Sequence, residues 1–167
     1  MATIVHIPLD DAPEHAAALG RLLGHWAFLE VELETIMRFL LGIDQFKAKF
    51  IWQEFTSAKA KIALIQRLNH HFTANKDSKE SLDKLLSKAQ ELNSDRNAFV
   101  HALWAGDEKK LTRFRNTPPG NYKKAGRMPE QFSPQDVQNV VDKIAELSQA
   151  LTLWQFGAFG VLTRQHE

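Results

Sequence analysis

The sequence predicts an all-α protein: four long helices in an up-down bundle, with a basic loop or short β-hairpin between helices 3 and 4. Three observations predict it. Apolar residues recur at three- and four-residue steps along four long stretches, the repeat of a helix that buries one face. Residues of capping type stand where those stretches begin and end. Between Gly106 and Ser133 the repeat stops, and Pro118, Pro119, Gly120, Gly126 and Pro129 take over. A chain of 167 residues, 44% apolar and 25% charged, fits a single helical domain, 1–167, with 106–133 as a basic insertion.

The elements follow in order. Residues 3–9 are β-prone and predict a short edge strand. Asp11 reads as a cap, with Pro13 and Glu14 in the first turn, for a helix from about Ala12 to Leu41 that stops at Gly42. Its inward stripe is Leu19, Leu22, Leu23, Trp26, Leu29, Leu33, Ile36, Met37 and Leu40, and a second line of small residues, Gly20, Gly24, Ala27 and Val31, suits close approach of another helix. Asp44 caps a second helical region that reaches Phe72, either continuous or broken near Thr56-Ser57, with Phe46, Phe50, Ile51, Phe55, Ala58, Ile62, Ile65 and Leu68 inward. His70 and His71, being adjacent, diverge on a helix and suit its C-terminal end better than a metal.

Asp77 or Ser78 starts a third helix that ends near Gly106. Leu111–Arg115 and Tyr122–Met128 pair as a hairpin or stay irregular. Ser133-Pro134-Gln135-Asp136 restarts helix, with Val137, Val140, Val141, Ile144, Leu147, Leu151, Trp154, Ala158 and Val161 inward. Leu153, Phe156 and Phe159 add apolar surface on another side, which predicts self-association there. Trp26, Trp52, Trp104 and Trp154 lie on helical stripes and read as core.

Composition excludes several classes. Without Cys there are no disulfides and no thiolate metal sites, which suits a reducing compartment. Met1 to Asp11 lacks a basic cluster before an apolar run, and the longest apolar stretch, Ala150 to Leu162, is interrupted and short for a bilayer. The expectation is a cytoplasmic protein with no membrane partner. Phosphate-cradling glycine loops, zinc-ligand spacings, nucleophile elbows and internal repeats are missing from the sequence, and no cofactor is expected.

The charge is unevenly placed. Lys109, Lys110, Arg113, Arg115, Lys123, Lys124 and Arg127 fall in a segment without a single acid, so this segment carries +7 and, with a net charge of +1, the remainder carries −6. Such asymmetry points to an anionic partner, and RNA is the first candidate for those seven residues. Phe114 and Tyr122 lie within the basic run and read either as base-stacking rings or as packing under a hairpin.

The stretch Arg96-Asn97-Ala98-Phe99-Val100-His101 joins a permanent cation, an amide and a titratable imidazole. On a helix Asn97 and His101 share a face, whereas Arg96 points about 140° away and starts about 7.5 Å below His101. Metal-free RNA cleavage needs a base for the 2′-hydroxyl, an acid for the leaving 5′-oxygen and a cation on the phosphoryl group; His and Arg supply these functions near neutral pH. One His101 per chain cannot be base and acid at once. Two copies around a twofold axis can, and each Arg96 then meets the other chain's imidazole.

This stretch resembles the motif of HEPN domains (higher eukaryotes and prokaryotes nucleotide-binding), in which an Arg, a polar residue, a spacer and a His lie late in the third long helix. The specific match covers six residues, 96–101, with the helical layout similar over most of the chain. The resemblance implies a dimeric, metal-independent endoribonuclease of a toxin–antitoxin or anti-phage system, with Arg96 and His101 in a composite cleft and Asn97 orienting the site. Glu30 is the candidate supporting carboxylate for Arg96, or else a solvated boundary residue. Departures are the acids Glu91, Asp95 and Asp107 near the motif and the insertion itself. The alternative function is a non-catalytic HEPN-like helical bundle binding nucleotide, RNA or a partner protein such as an antitoxin or a nucleotidyltransferase. The structural alternative has His101 at a helix end and Arg96 paired with Asp95, Glu91 or Glu30.

Overall fold

The computed structural model of the chain describes residues 9, 12–106, 111–115 and 130–162. The described chain is mostly helical. Its elements run α1 (Pro13–Leu41), α2 (Gln45–Glu54), α3 (Ala58–Phe72), α4 (Lys76–Val100), β1 (Ala102–Gly106), β2 (Leu111–Arg115), β3 (Glu130–Phe132) and α5 (Pro134–Leu162). The expected strand at 3–9 and the expected cap Asp11 fall outside the described residues, apart from Leu9.

Helix ends follow local chemistry. Helix α1 stops at Gly42, whose φ of 62° sits in the left-handed region; its amide donates to Phe39 O and the amide of Ile43 to Arg38 O, the two bonds that close a helix C-terminus. Asp44 caps α2 by accepting from the Lys47 amide at 3.0 Å, and together with the Lys47 ammonium this bond holds the Asp44 carboxyl below its ordinary range. The break near Thr56-Ser57 is present: α2 ends at Glu54 and Ser57 caps α3 through the Ala60 amide. There are therefore five helices among the described residues rather than four. Helix α4 starts slightly earlier than expected, with Asn75 Oδ1 accepting from the Ser78 amide at 2.9 Å. Before α5, Ser133 and Asp136 satisfy each other reciprocally: Ser133 N and Oγ both donate to Asp136 Oδ2 at 2.7 Å, and the Asp136 amide donates to Ser133 Oγ.

The expected stripes hold on α1 and, from Val137 to Trp154, on α5, and fail on α2. Leu22, Trp26, Leu29, Leu33, Ile36 and Met37 are buried, whereas Leu23 is exposed. On α2 the buried pair is Ala48 and Trp52, and Phe46 and Phe50 are 73% and 59% exposed. The break explains the change: residues 55–57 leave the helix, so the phase of α3 does not carry back into α2, and the buried pair lies two residues, about 200°, round the helix from the expected one.

The chain divides into two compact units, Met1–Gly24 with Ser94–Asp142 and His25–Asn93 with Lys143–Glu167. In the first, the described core includes Ala18, Leu22, Phe99, Val137 and Val141; the Phe99 and Phe132 rings meet edge-to-face at 5.1 Å, and buried His15 donates from Nε2 to Phe132 O at 3.0 Å. In the second, Leu29, Leu33, Ile62, Leu82, Leu86 and Ile144 are fully buried, and Trp154 Nε1 donates to Ser78 O at 2.9 Å.

A three-stranded antiparallel sheet of order β1-β2-β3 belongs to the first unit. This corrects one expectation: the third long helix does not reach Gly106, because residues 102–106 pair with 111–115 instead, and Leu111–Arg113 pair on their other side with 130–132. A short apolar run such as Ala102-Leu103-Trp104-Ala105 fits helix and strand equally by periodicity, so the ladder to β2 decides. Residues 122–128 lie outside the described residues.

Candidate nucleic-acid site

Helix α4 places Arg96 just before its last turn and Asn97 within it, and His101 is the first residue beyond the helix. The Arg96 guanidinium donates from Nη1 to Asn97 Oδ1 at 2.9 Å. Asn97 also receives the His101 amide on its carbonyl oxygen at 3.1 Å, so the final helical hydrogen bond holds His101 in place although helical geometry ends at Val100. Arg96 and Asn97 are half-buried, and His101 is exposed. Among the described residues the His101 imidazole makes no hydrogen bond, ion pair or ring contact. Asn97 is thus bonded to both residues, to the Arg96 guanidinium through its side-chain oxygen and to the His101 backbone amide through its carbonyl oxygen.

The sheet adds a feature that spacing alone did not reveal. Arg115 is the register partner of Ala102, the residue after His101, and Arg113 is that of Trp104. Two of the seven basic residues therefore occupy alternate positions of a strand running alongside the one that leaves His101. On its other edge Arg113 faces Glu130 in register. Lys109, Lys110, Lys123, Lys124 and Arg127 lie outside the described residues, as do Asp107 and Tyr122.

Glu30 lies in the other unit, and its carboxylate is engaged there: Oε1 accepts from Trp26 Nε1 at 3.2 Å and Oε2 pairs with Lys61 Nζ at 3.6 Å. The Lys61 ammonium also sits 4.7 Å from the centre of a Trp52 ring. These partners tie Glu30 to the packing of α1, α2 and α3 within its own unit.

His70 and His71 end α3 with rings crossed at 83°, and no group of three or more His, Asp or Glu side chains is gathered like a metal-ligand set among the described residues. Among those residues no helix is long and apolar enough to cross a membrane. Comparison of the chain with protein-family models, with curated proteins and with solved structures finds no match.

Proposed function

We propose that the protein is a HEPN-type, metal-independent endoribonuclease that acts as a homodimer in the cytoplasm, in a toxin–antitoxin or anti-phage setting. In this reading α1, α2 with α3, α4 and α5 correspond to the four limbs of an up-down bundle, and the sheet is an insertion between the last two. The supporting observation is the end of α4: an exposed imidazole at His101, five residues beyond a guanidinium that Asn97 orients.

The His101 imidazole takes the proton from a ribose 2′-hydroxyl, the freed oxygen attacks phosphorus, and the P–O5′ bond breaks. The partner's His101, entering as imidazolium, gives its proton to the departing 5′-oxygen, leaving a 2′,3′-cyclic phosphate. Arg96 clamps the phosphoryl oxygens, whose charge its planar fork matches. Arg113, Arg115 and the remaining basic residues of the insertion, Lys109, Lys110, Lys123, Lys124 and Arg127, hold the RNA backbone.

The test is purified protein against mixed single-stranded RNA in excess chelator, with His101→Ala and Arg96→Ala beside it and the product ends read by mass spectrometry. General acid–base help is worth about 10²- to 10⁴-fold, so His101→Ala loses activity on that scale. Undiminished cleavage by His101→Ala overturns the mechanism. Salt-sensitive RNA retention without product reassigns the surface to the alternative, binding alone.

A further inference from the structure

One concavity takes no part in the ribonuclease reading. It lies wholly in the unit of residues 25–93 and 143–167, between the C-terminal half of α1 and the first turns of α2, and has a volume of about 570 Å³. Ligand clefts commonly span about 300 to 1,000 Å³ and combine apolar lining with a few convergent polar groups. This one joins Val31 and Phe46, both largely exposed, to Glu34, Arg38 and Lys49.

The charges in the cleft are not equivalent. The Lys49 ammonium is bound to the Glu34 carboxylate at 3.4 Å, so that pair is internally neutralised. Thr35 is likewise committed, its hydroxyl donating to Val31 O at 2.9 Å. Arg38 is different: among the described residues its side chain makes no hydrogen bond or ion pair. Its backbone is fixed all the same, because Arg38 O accepts from the Ile43 amide in the turn at Gly42. The cleft therefore presents one uncommitted, planar, five-donor cation on a pinned scaffold, the group that best matches a carboxylate or phosphate.

Beside it stands an aromatic wall. Phe46 is 73% exposed, and its ring is set by Phe50, edge-to-face at 4.9 Å and 86°. Neither ring contributes to the core that α2 buries through Ala48 and Trp52. Water-facing Phe side chains lose the free energy that burial would return, and a flat apolar ligand recovers it.

The geometry points to a binding site for a small organic anion with an aromatic ring, its anionic group taken by Arg38 and its ring packed on Phe46. The site is independent of the ribonuclease reading, which uses residues 96–101 of the other unit.

Calorimetric titration of the full chain with phenyl phosphate, and separately with inorganic phosphate and with phenol, tests it. One saturable site per chain is expected for phenyl phosphate, with a dissociation constant in the millimolar range or tighter. Each half of the probe alone binds at least about tenfold more weakly, since each keeps only one of the two contacts. Arg38→Gln weakens phenyl phosphate binding by about tenfold or more, Phe46→Ala by several-fold, and Arg38→Lys gives an intermediate loss because it keeps the charge without the fork. His101→Ala leaves the titration unchanged, which separates this site from the catalytic one. Absence of saturable binding, or binding indifferent to both Arg38→Gln and Phe46→Ala in variants with wild-type circular dichroism, overturns the proposal.

Discussion

Asn97 accepts a hydrogen bond from Arg96 at 2.9 Å, a bond between chain neighbours near the C-terminal end of α4. Neighbouring helical side chains point about 100° apart, so the Arg side chain has to bend around the helix to make it. In the proposed ribonuclease the bond gives Asn97 a positioning role. Asn97→Ala removes the acceptor, and a hydrogen bond to a charged group is worth about 1.5 to 3 kcal/mol, so RNA cleavage should fall by about tenfold or more. Arg96→Ala should fall further, and Asn97→Asp, which keeps an acceptor, should retain more activity than Asn97→Ala. Equal activity of wild type and Asn97→Ala in a single-turnover assay would remove Asn97 from the site.

Gly24 and Gly42 both have open space where a Cβ would stand, yet Ala substitution should move stability in opposite directions. Gly24 lies in the interior of α1, where Gly costs about 1 kcal/mol relative to Ala, so Gly24→Ala stabilises by about that amount. Gly42 has φ 62°, and an L side chain there costs about 1 to 2 kcal/mol, so Gly42→Ala destabilises. Urea unfolding of the two variants beside wild type reads both signs.

The Asp136 carboxyl lies below its ordinary value of 3.8 because the amide and hydroxyl of Ser133 donate to its charged form. A carboxyl lowered by folding contributes stability that is fully present above 3.8 and is lost as pH falls through the lower, folded value. Ser133→Ala, which deletes one side of the reciprocal cap, should cost about 1 kcal/mol near neutral pH. The gap between wild type and Asp136→Asn should narrow as unfolding is measured at successively lower pH through the acid range. A gap that widens on acidification contradicts the assignment.

On α5, Leu153 and Phe156 are 64% and 73% exposed, one helical turn apart, on the side expected to self-associate. In a homodimer this face is the natural place for subunit contact. The double change Leu153→Ser, Phe156→Ser should shift sedimentation toward single subunits while leaving the thermal midpoint of those subunits close to wild type. Cleavage should fall with it, since the proposed two-imidazole site needs two chains. Dimers that persist unchanged move the contact elsewhere.

Much of the helical framework was legible because it depends on local signals. Gly42, Asp44, Ser57 and Ser133 mark ends through backbone chemistry confined to a few residues, and α1 and α5 carry enough turns for their stripes to be unambiguous. Helix α2 spans 10 residues, too few for a stripe to prevail over a break, and its two exposed Phe residues read as core. The end of α4 was illegible for another reason. Residues 102–106 become a strand only because residues 111–115 lie alongside, and sequence periodicity does not contain that long-range ladder. The motif residues were proposed from their types, whereas the bonds of Asn97 to the Arg96 guanidinium and the His101 amide, the register of Arg115 with Ala102 and the cleft at Arg38 required coordinates.

The central claim is that two His101 imidazoles from different chains serve one cut. It is tested most directly by mixing: wild-type and His101→Ala subunits are co-refolded at fixed total protein in known ratios, and initial rates of RNA cleavage are measured. If both imidazoles are required, mixed dimers are inactive and the rate follows the square of the wild-type fraction, about a quarter of full activity in an equal mixture. A rate that follows the fraction itself, about a half in the same mixture, contradicts the shared site.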